Sequence, residues 1–283
     1  MKTYKLFSFF LPLLVIVLSS CNTDTIPSDT SIEKNLVNVS YGSNPQQKFD
    51  LYLPANRSAA TTKTLILVHG GGWTAGDKSD MVYVTNIIKQ YLPGYAVVNM
   101  NYRLASAGNP AFPMQIDDVG AVIDKLKNTS DYGISDNFGF IGVSAGGHLS
   151  LLYSYTSNSD NDVKMVCSIV GPTDFTDPNY ANNPTLTAMF ATATGVNYGD
   201  NPAYYQQLSP LYRATATAPP TILFYGNADP LIPTTQGVNM HARLDQLGVY
   251  NEFTLYNGGH GDWVIADQLD AYGKLVTFIQ NKF

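Results

Sequence analysis

Cysteine is almost absent from the sequence: Cys21 and Cys167 are the two cysteines among 283 residues. Small domains stapled by several disulfides are therefore excluded, because each disulfide needs its own pair of cysteines. Cys167 lies in an apolar run, 163–171, which predicts a buried and unreactive thiol. The fold must depend on its hydrophobic core, and the 45% of residues that are hydrophobic allow a large one.

Basic residues are also scarce. The chain has 16 Lys and Arg against 22 Asp and Glu, which gives a formal net charge of −6 at pH 7, and its basic residues form no cluster. Nucleic acids and anionic membrane surfaces are bound through concentrated positive charge. The composition thus argues against a nucleic-acid partner and against electrostatic attachment to a membrane.

No apolar run in the sequence is long enough to span a bilayer as a helix. The longest, 6–18, has thirteen residues, whereas a spanning helix needs about 20. Lys2 and Lys5 precede this run. A positive segment followed by a short apolar one is typical of a secretory signal peptide, which we predict over 1–20.

The signal ends in LSSC (18–21), which resembles the lipobox of bacterial lipoproteins. That resemblance implies cleavage before Cys21, lipid attachment to Cys21, and an exported lipoprotein of the cell envelope held at the membrane only through its anchor. The alternative is an ordinary secretory signal with an incidental cysteine. Cleavage would remove Lys2 and Lys5 and change the net charge from −6 to −8. The polar segment 21–34 is predicted to be a flexible tether, and 35–283 one folded domain.

Eight strand-like runs recur along this domain. Most are continuous apolar stretches, as expected of strands that are buried on both faces of a sheet. The first two flank the turn sequence SNPQQ and predict an antiparallel hairpin. The runs cover 35–42, 48–54, 64–70, 95–103, 137–144, 163–171, 221–229 and 252–259.

Helical patterns alternate with these strands, which predicts an α/β fold with a mostly parallel sheet. The helices are expected over 79–92 (capped by Ser79), 112–129, 145–156, 234–248 and 262–280.

The stretch 172–220 breaks the alternation and predicts an excursion above the sheet, between the sixth and seventh strands. Whether it acts as a lid stays open. Its aromatic residues either stack on a sugar or aromatic substrate group or pack the excursion onto the sheet. They are Tyr180, Tyr198, Tyr204 and Tyr205.

Ser144 is the candidate nucleophile. It is the centre of a G-x-S-x-G pattern, Gly142 to Gly146, between a predicted strand and a predicted helix. This is the setting of a nucleophile elbow, where small neighbours permit a sharp turn and the helix N-terminus supplies free N–H groups. The alternative is a structural glycine-rich turn.

Four histidines are candidates for the general base that a serine nucleophile needs. His260 is favoured because it follows the last predicted strand, at the sheet edge where the elbow also lies. The alternative for His260 is a loop histidine that caps the last helix. His148 is expected to pack beneath the elbow, His241 to lie on a helix surface, and His69 to hold its own loop by hydrogen bonding.

Asp229 is the favoured acid to orient the base. It follows the seventh predicted strand, and the order Ser144, Asp229, His260 is that of α/β-hydrolases. Asp174, after the preceding strand, is the rival. Asp262 lies only two residues from His260 and is expected to cap a helix.

The sequence HGGGW (69–73) follows the third predicted strand and suggests an oxyanion site. The N–H groups of Gly71 and Gly72 are the expected donors, together with that of Ala145, and Gly70 supports the loop. The alternative, a phosphate-binding loop, lacks the G-x-G-x-x-G or Walker spacing and its lysine.

Together these motifs resemble the α/β-hydrolase esterases with an HGGG-type oxyanion loop, a group that includes the hormone-sensitive-lipase-like enzymes and bacterial feruloyl and acetylxylan esterases. The matching stretches are HGGGWTAGDKSD (69–80), NYRLA (101–105), FPMQIDDV (112–119), GVSAGGHL (142–149), SPLY (209–212), GNADPLIP (226–233) and GGHG (258–261). The resemblance implies an eight-stranded sheet in which only the second strand is antiparallel, with helices on both faces. It also implies a Ser-Asp-His triad, a substrate-binding role for Trp73, and a leaning towards carbohydrate esterases.

The expected reaction is hydrolysis of short acyl, acetyl or feruloyl esters, with plant polysaccharide as a candidate carrier of the ester. Neither a metal nor an organic cofactor is expected. The alternatives are an aryl formamidase, a small serine peptidase, and a non-catalytic binding protein on the same fold. The sequence does not indicate the oligomeric state.

Overall fold

The computed structural model describes residues 29–283, and the predicted signal peptide and Cys21 lie outside the described residues. Its centre is one eight-stranded sheet in the order β1-β2-β4-β3-β5-β6-β7-β8. The strands are β1 (Lys34–Ser40), β2 (Lys48–Leu53), β3 (Thr64–Val68), β4 (Ala96–Met100), β5 (Phe138–Val143), β6 (Val163–Ile169), β7 (Thr221–Gly226) and β8 (Asn251–Tyr256).

The direction of the strands confirms the predicted sheet. β2 pairs antiparallel with both of its neighbours, β1 and β4, whereas every other pairing is parallel. All residues of β3, β4 and β7 are buried, in agreement with their continuous apolar sequences. Because β3 and β5 to β8 run the same way, the segments that follow them meet at one edge of the sheet.

Helices cover both faces of the sheet, in line with the alternating pattern of the sequence. They are α1 (Val82–Tyr91), α2 (Met114–Lys127), α3 (Ala145–Thr156), α4 (Pro184–Thr194), α5 (Pro202–Gln207), α6 (Pro210–Arg213), α7 (Thr234–Gln246) and α8 (Ile265–Lys282). One core packs α2, α3, α7 and the 172–220 excursion on one face. A second core packs α1 and α8 on the other. Within the described part of the chain, no helix is long and apolar enough to cross a membrane.

Two predicted helix caps are wrong. The first helical segment begins as a 3-10 turn, Lys78–Met81, and its cap is Asp77, whose carboxylate accepts the N–H of Ser79 at 2.8 Å. The predicted cap Ser79 is therefore inside the turn. The last helix begins at Ile265 with Val264 as its N-cap and no side-chain capping bond, so Asp262 does not cap it.

The described end of the predicted tether, residues 29–34, belongs to the folded domain. Arg57 is buried, and its guanidinium donates to the carbonyl oxygens of Asp29 (3.1 Å) and Ile32 (2.6 Å). Its backbone N–H also donates to Thr30 O at 3.3 Å. Residues 29–32 are thus docked on the domain, through a buried arginine whose partners are backbone carbonyls that the sequence pattern does not reveal.

The 172–220 excursion packs on the sheet rather than standing clear of it. Tyr180 and Tyr205 are buried, so the packing alternative holds for these two, while Tyr198 and Tyr204 are half-buried. The buried Asp177 attaches the excursion to α7, because its carboxylate accepts hydrogen bonds from Thr235 Oγ1 and from Gln236 Nε2. Burial would raise the pKa of Asp177, but these hydrogen bonds and those from Asn179 outweigh it and lower the pKa.

Candidate active site

The site begins at the sharp turn between β5 and α3. Ser144 occupies this turn with φ 53° and ψ −119°, a conformation that residues with a β-carbon rarely adopt. Its N–H donates to Ile169 O at 2.8 Å, at the end of β6. Gly146 touches β3 so closely that a β-carbon there would collide with the carbonyl oxygens of Val68 and His69. The glycine of the motif is therefore required by close backbone packing.

His260 joins the two other predicted catalytic residues. Its Nε2 lies 2.9 Å from Ser144 Oγ, and its Nδ1 lies 2.7 Å from Asp229 Oδ2. A carboxylate only accepts, so Nδ1 carries the proton and Nε2 of the neutral ring accepts the serine hydroxyl. The serine proton consequently faces a nitrogen lone pair, as nucleophile activation requires.

Asp229 is held from the side opposite His260. Its Oδ1 accepts the N–H groups of Leu231 (2.8 Å) and Ile232 (2.9 Å), and its side chain is 1% exposed. The rival Asp174 is engaged elsewhere: its carboxylate accepts from Thr176 N (2.8 Å), Thr176 Oγ1 (2.6 Å) and Tyr212 OH (3.3 Å). The structure thus places Asp229, and not Asp174, against the histidine.

Close backbone contact between two loops brings Asp229 and His260 together. A β-carbon at Gly226, the last residue of β7, would collide with the carbonyl oxygens of Gly258 and Gly259. Beyond it, Ala228 N donates to Gly258 O at 2.9 Å. Trp263 Nε1 then donates to Gly259 O at 3.2 Å. These contacts explain why GNAD and GGHG occur together in the sequence.

The glycine loop after β3 lies beside the elbow. A β-carbon on Gly70 would lie 3.3 Å from Ser144 Cβ, which puts the loop in contact with the serine. Gly71 and Gly72 have φ values of 113° and 58°, and among residues 29–283 their N–H groups have no hydrogen-bond acceptor. Ala145 is the first residue of α3, where an N–H has no intrahelical acceptor. These three predicted donors are therefore unpaired, on two segments that adjoin the serine.

Residues whose roles the sequence did not predict hold this loop. Tyr102 OH donates to His69 O at 2.9 Å, and Gln115 Nε2 donates to Trp73 O at 2.7 Å. The fully buried Asp118 accepts the Arg103 guanidinium at 2.6 Å. Their stretches NYRLA and FPMQIDDV matched the family, but nothing in either pattern indicated contact with the glycine loop.

The other histidines have structural positions. His69 Nδ1 donates to Gly70 O at 2.6 Å, as predicted, and its buried ring stacks on Tyr102. His148 is fully buried, with Nε2 donating to Leu208 O at 2.7 Å and Nδ1 accepting Trp73 Nε1 at 3.4 Å. Burial lowers the pKa of His148 to about 4. His241 lies on α7 beside Asn251, with 38% of its side chain exposed.

The prediction that Trp73 binds substrate is wrong for this structure. Its side chain is 1% exposed and lies inside an aromatic cluster that joins the glycine loop to α3 and the excursion. Its ring neighbours are Phe112, His148, Phe175 and Phe190. The indole of Trp73 therefore anchors the glycine loop to this aromatic cluster.

Met189 approaches the site without any signal in the sequence. It lies on α4 in the excursion, and its sulfur would be 2.5 Å from a β-carbon on Gly72. The excursion thus covers the Gly72 side of the glycine loop. Among residues 29–283, no group of three or more His, Cys, Asp and Glu side chains is arranged to hold a metal ion.

The strand order, with the serine after β5 and the acid and histidine after β7 and β8, defines an α/β-hydrolase fold. The family model BD-FAE matches residues 49–244, and the chain belongs to this family.

Named relatives agree with this assignment. Esterase LipC of Mycobacterium tuberculosis is 29% identical over 79% of this chain and 59% of its own length. Esterase LipQ of the same organism is 28% identical over 65% and 46%. The chain thus spans about half the length of the curated relatives that it matches. A truncated carbohydrate esterase from gut microbiota has the same fold, with a TM-score of 0.73 and 24% identity over 89% of this chain and 99% of that one.

The buried His148 predicts a pH-dependent stability. An unfolded histidine takes up a proton near pH 6.5, whereas folded His148 does so only near pH 4. The stabilisation from neutral His148 is fully present above pH 6.5. As the pH falls to 4 it is lost, and the free energy of unfolding drops by about 3 kcal/mol. We expect His148→Gln to reduce this fall by about that amount, measured by urea unfolding between pH 7 and 4. The exposed control His241→Gln should follow the wild type, and parallel curves for all three proteins would contradict the assignment.

Proposed function

We propose that this protein is a serine ester hydrolase in which Ser144, His260 and Asp229 form the catalytic triad. The observation that carries the proposal is the His260 ring, which is hydrogen-bonded to Ser144 Oγ on one side and to Asp229 on the other. The strained turn at Ser144 supports it, because such strain is concentrated at functional sites. The names of the relatives, which include esterases LipC and LipQ, are consistent with it.

The proposed reaction begins with a proton transfer along an existing hydrogen bond. Ser144 Oγ attacks the ester carbonyl carbon and gives its proton to His260 Nε2, while Asp229 stabilises the resulting imidazolium through Nδ1–H. The carbonyl oxygen becomes an oxyanion that accepts N–H groups of Gly71, Gly72 and Ala145. His260 then protonates the leaving alcohol. Water next attacks the acyl-enzyme, with His260 again acting first as base and then as acid.

For the substrate, we propose short acyl esters or the acetyl and feruloyl esters of plant polysaccharides. Two solved structures of this fold support that choice by their names, the gut carbohydrate esterase and an acetyl ester-xyloside bifunctional hydrolase from Caldicellulosiruptor lactoaceticus. The site also favours esters with small substituents, because Met189 of the excursion packs closely against Gly72.

Ser144→Ala is expected to abolish ester hydrolysis, lowering kcat by at least about 10⁴-fold because the nucleophile is lost. The assay compares nitrophenyl esters of increasing acyl length, methyl ferulate, acetylated xylan and N-formylkynurenine with both proteins. Circular dichroism checks that the variant is folded. Hydrolysis that survives in Ser144→Ala would refute the nucleophile, and a preference for N-formylkynurenine would favour an aryl formamidase.

The two candidate acids give a second prediction. Asp229→Asn should lower kcat about 10⁴-fold, since an amide cannot stabilise the imidazolium or fix the histidine tautomer. Asp174→Asn is the matched control and should retain most of the activity, because its carboxylate contacts Thr176 and Tyr212 rather than His260. Steady-state kinetics on one nitrophenyl ester decide the matter, and a larger loss in Asp174→Asn would reverse the assignment.

We also propose that the protein is a cell-envelope lipoprotein anchored through Cys21, on the strength of the LSSC sequence and the short apolar run before it. Full-length protein expressed in bacteria should partition into detergent extracts, with an intact mass that matches cleavage before Cys21 plus diacylglycerol. Cys21→Ser should lose both the lipid mass and the membrane association. A mature wild-type chain without lipid would end this proposal.

A further inference from the structure

An apolar pocket of about 190 Å³ opens beside His260, on the face of the sheet covered by α1 and α8. Its walls combine the ends of three central strands, both helices and the loop that carries the histidine. Apart from His260 and Gly261, it is lined by Val84, Val143, Ile169, Phe224, Trp263, Gln268, Ala271, Tyr272 and Leu275.

The chemistry of the pocket fits an uncharged apolar group. No Lys, Arg, Asp or Glu is among its lining residues. The amide nitrogen of Gln268 is already engaged, since it donates to Trp263 O at 2.7 Å. Burying an alkyl or phenyl group here would remove apolar surface from water without leaving a charge unpaired.

The pocket borders the histidine of the triad. Val143 precedes Ser144 in the chain, and His260, which also lines the pocket, holds Ser144 Oγ at 2.9 Å through Nε2. Val143 and Ile169 are only half-buried although they belong to central strands, so the carboxyl edge of the sheet is open here. On the glycine-loop side, by contrast, Met189 covers Gly72.

We infer that this pocket is the subsite that receives the apolar substituent of the ester, and that its size sets the upper limit of that substituent. The inference rests on the proposed ester hydrolysis. It identifies the substrates as esters with a short alkyl or single-ring group within a few bonds of the carbonyl. Both the acyl part and the alcohol part of an ester can carry such a group.

Fixed aromatic rings limit the volume of the pocket. Trp263 packs on Tyr256 with ring centroids 4.6 Å apart and is tied to Gly259 O by its indole N–H. Tyr272 meets Tyr83 of α1 at 5.4 Å. A rigid pocket rejects groups that exceed its length, whereas a flexible one would expand.

Two substitutions on α8 change the pocket in opposite directions. Ala271→Leu narrows it and should lower kcat/KM for the bulkiest accepted ester roughly tenfold, with little effect on the smallest. Leu275→Ala widens it and should shift the preference towards larger groups.

The substrates are nitrophenyl esters from acetate to octanoate, which vary the acyl part, and alkyl acetates from methyl to hexyl, which vary the alcohol. The series that responds identifies which part the pocket binds.

Matched controls separate the pocket from general effects on stability. Ala266→Leu makes the same change at an exposed position of α8, and Leu244→Ala empties an equally buried position on α7. Both should keep the wild-type size profile. If Ala271→Leu and Leu275→Ala leave both size profiles unchanged, or change kcat/KM by the same factor for every substrate, the pocket is not a subsite. The proposed function would still stand in that case. If the wild type hydrolyses no ester, the proposed function itself is wrong.

Discussion

The rest of the site depends on the strained backbone at Ser144. Holding a residue with a β-carbon at φ 53° costs roughly 1–3 kcal/mol, so the surrounding contacts must fix it. They do so from two sides: Ser144 N–H binds Ile169 O, and Gly146 brings α3 against the end of β3. This turn leaves Oγ 2.9 Å from His260 Nε2, and the same close packing puts the glycine loop beside it.

Two kinds of contact bring the remaining groups to that serine. On the histidine side, backbone touches backbone, since Gly226 lies against Gly258 and Gly259 and leaves no space for a β-carbon. On the side of the glycine loop, the buried side chains of Tyr102 and Gln115 hold a loop that has few hydrogen bonds of its own. Both arrangements are fixed by contacts within the protein itself, a property that the proposed stabilisation of an oxyanion would need.

The sequence predicted the features that depend on chain pattern. The eight strands, the mostly parallel sheet and the approach of Ser144, Asp229 and His260 follow from apolar runs and from motifs at strand ends, while the antiparallel second strand came from the resemblance to the esterase family. It did not predict contacts set by three-dimensional packing. The family resemblance implied a substrate contact for Trp73, but its side chain lies in an aromatic cluster that includes residues far apart in the chain. Arg57 and Met189 were missed for the same reason, because their partners lie in loops without any periodic pattern.

The two faces of the sheet are packed to different extents around the serine. On one face the excursion is fixed by Asp177 and the aromatic cluster, and it reaches over the glycine loop. On the other face α1 and α8 leave a gap at the ends of β5 and β6, where Val143 and Ile169 are half-buried. An ester whose oxygen points to the glycine loop therefore meets packed protein beyond Gly72 and open apolar surface beside His260. This asymmetry follows from the fold itself, because the excursion leaves the sheet after β6 towards the face that carries α7, so only that face gains the extra layer.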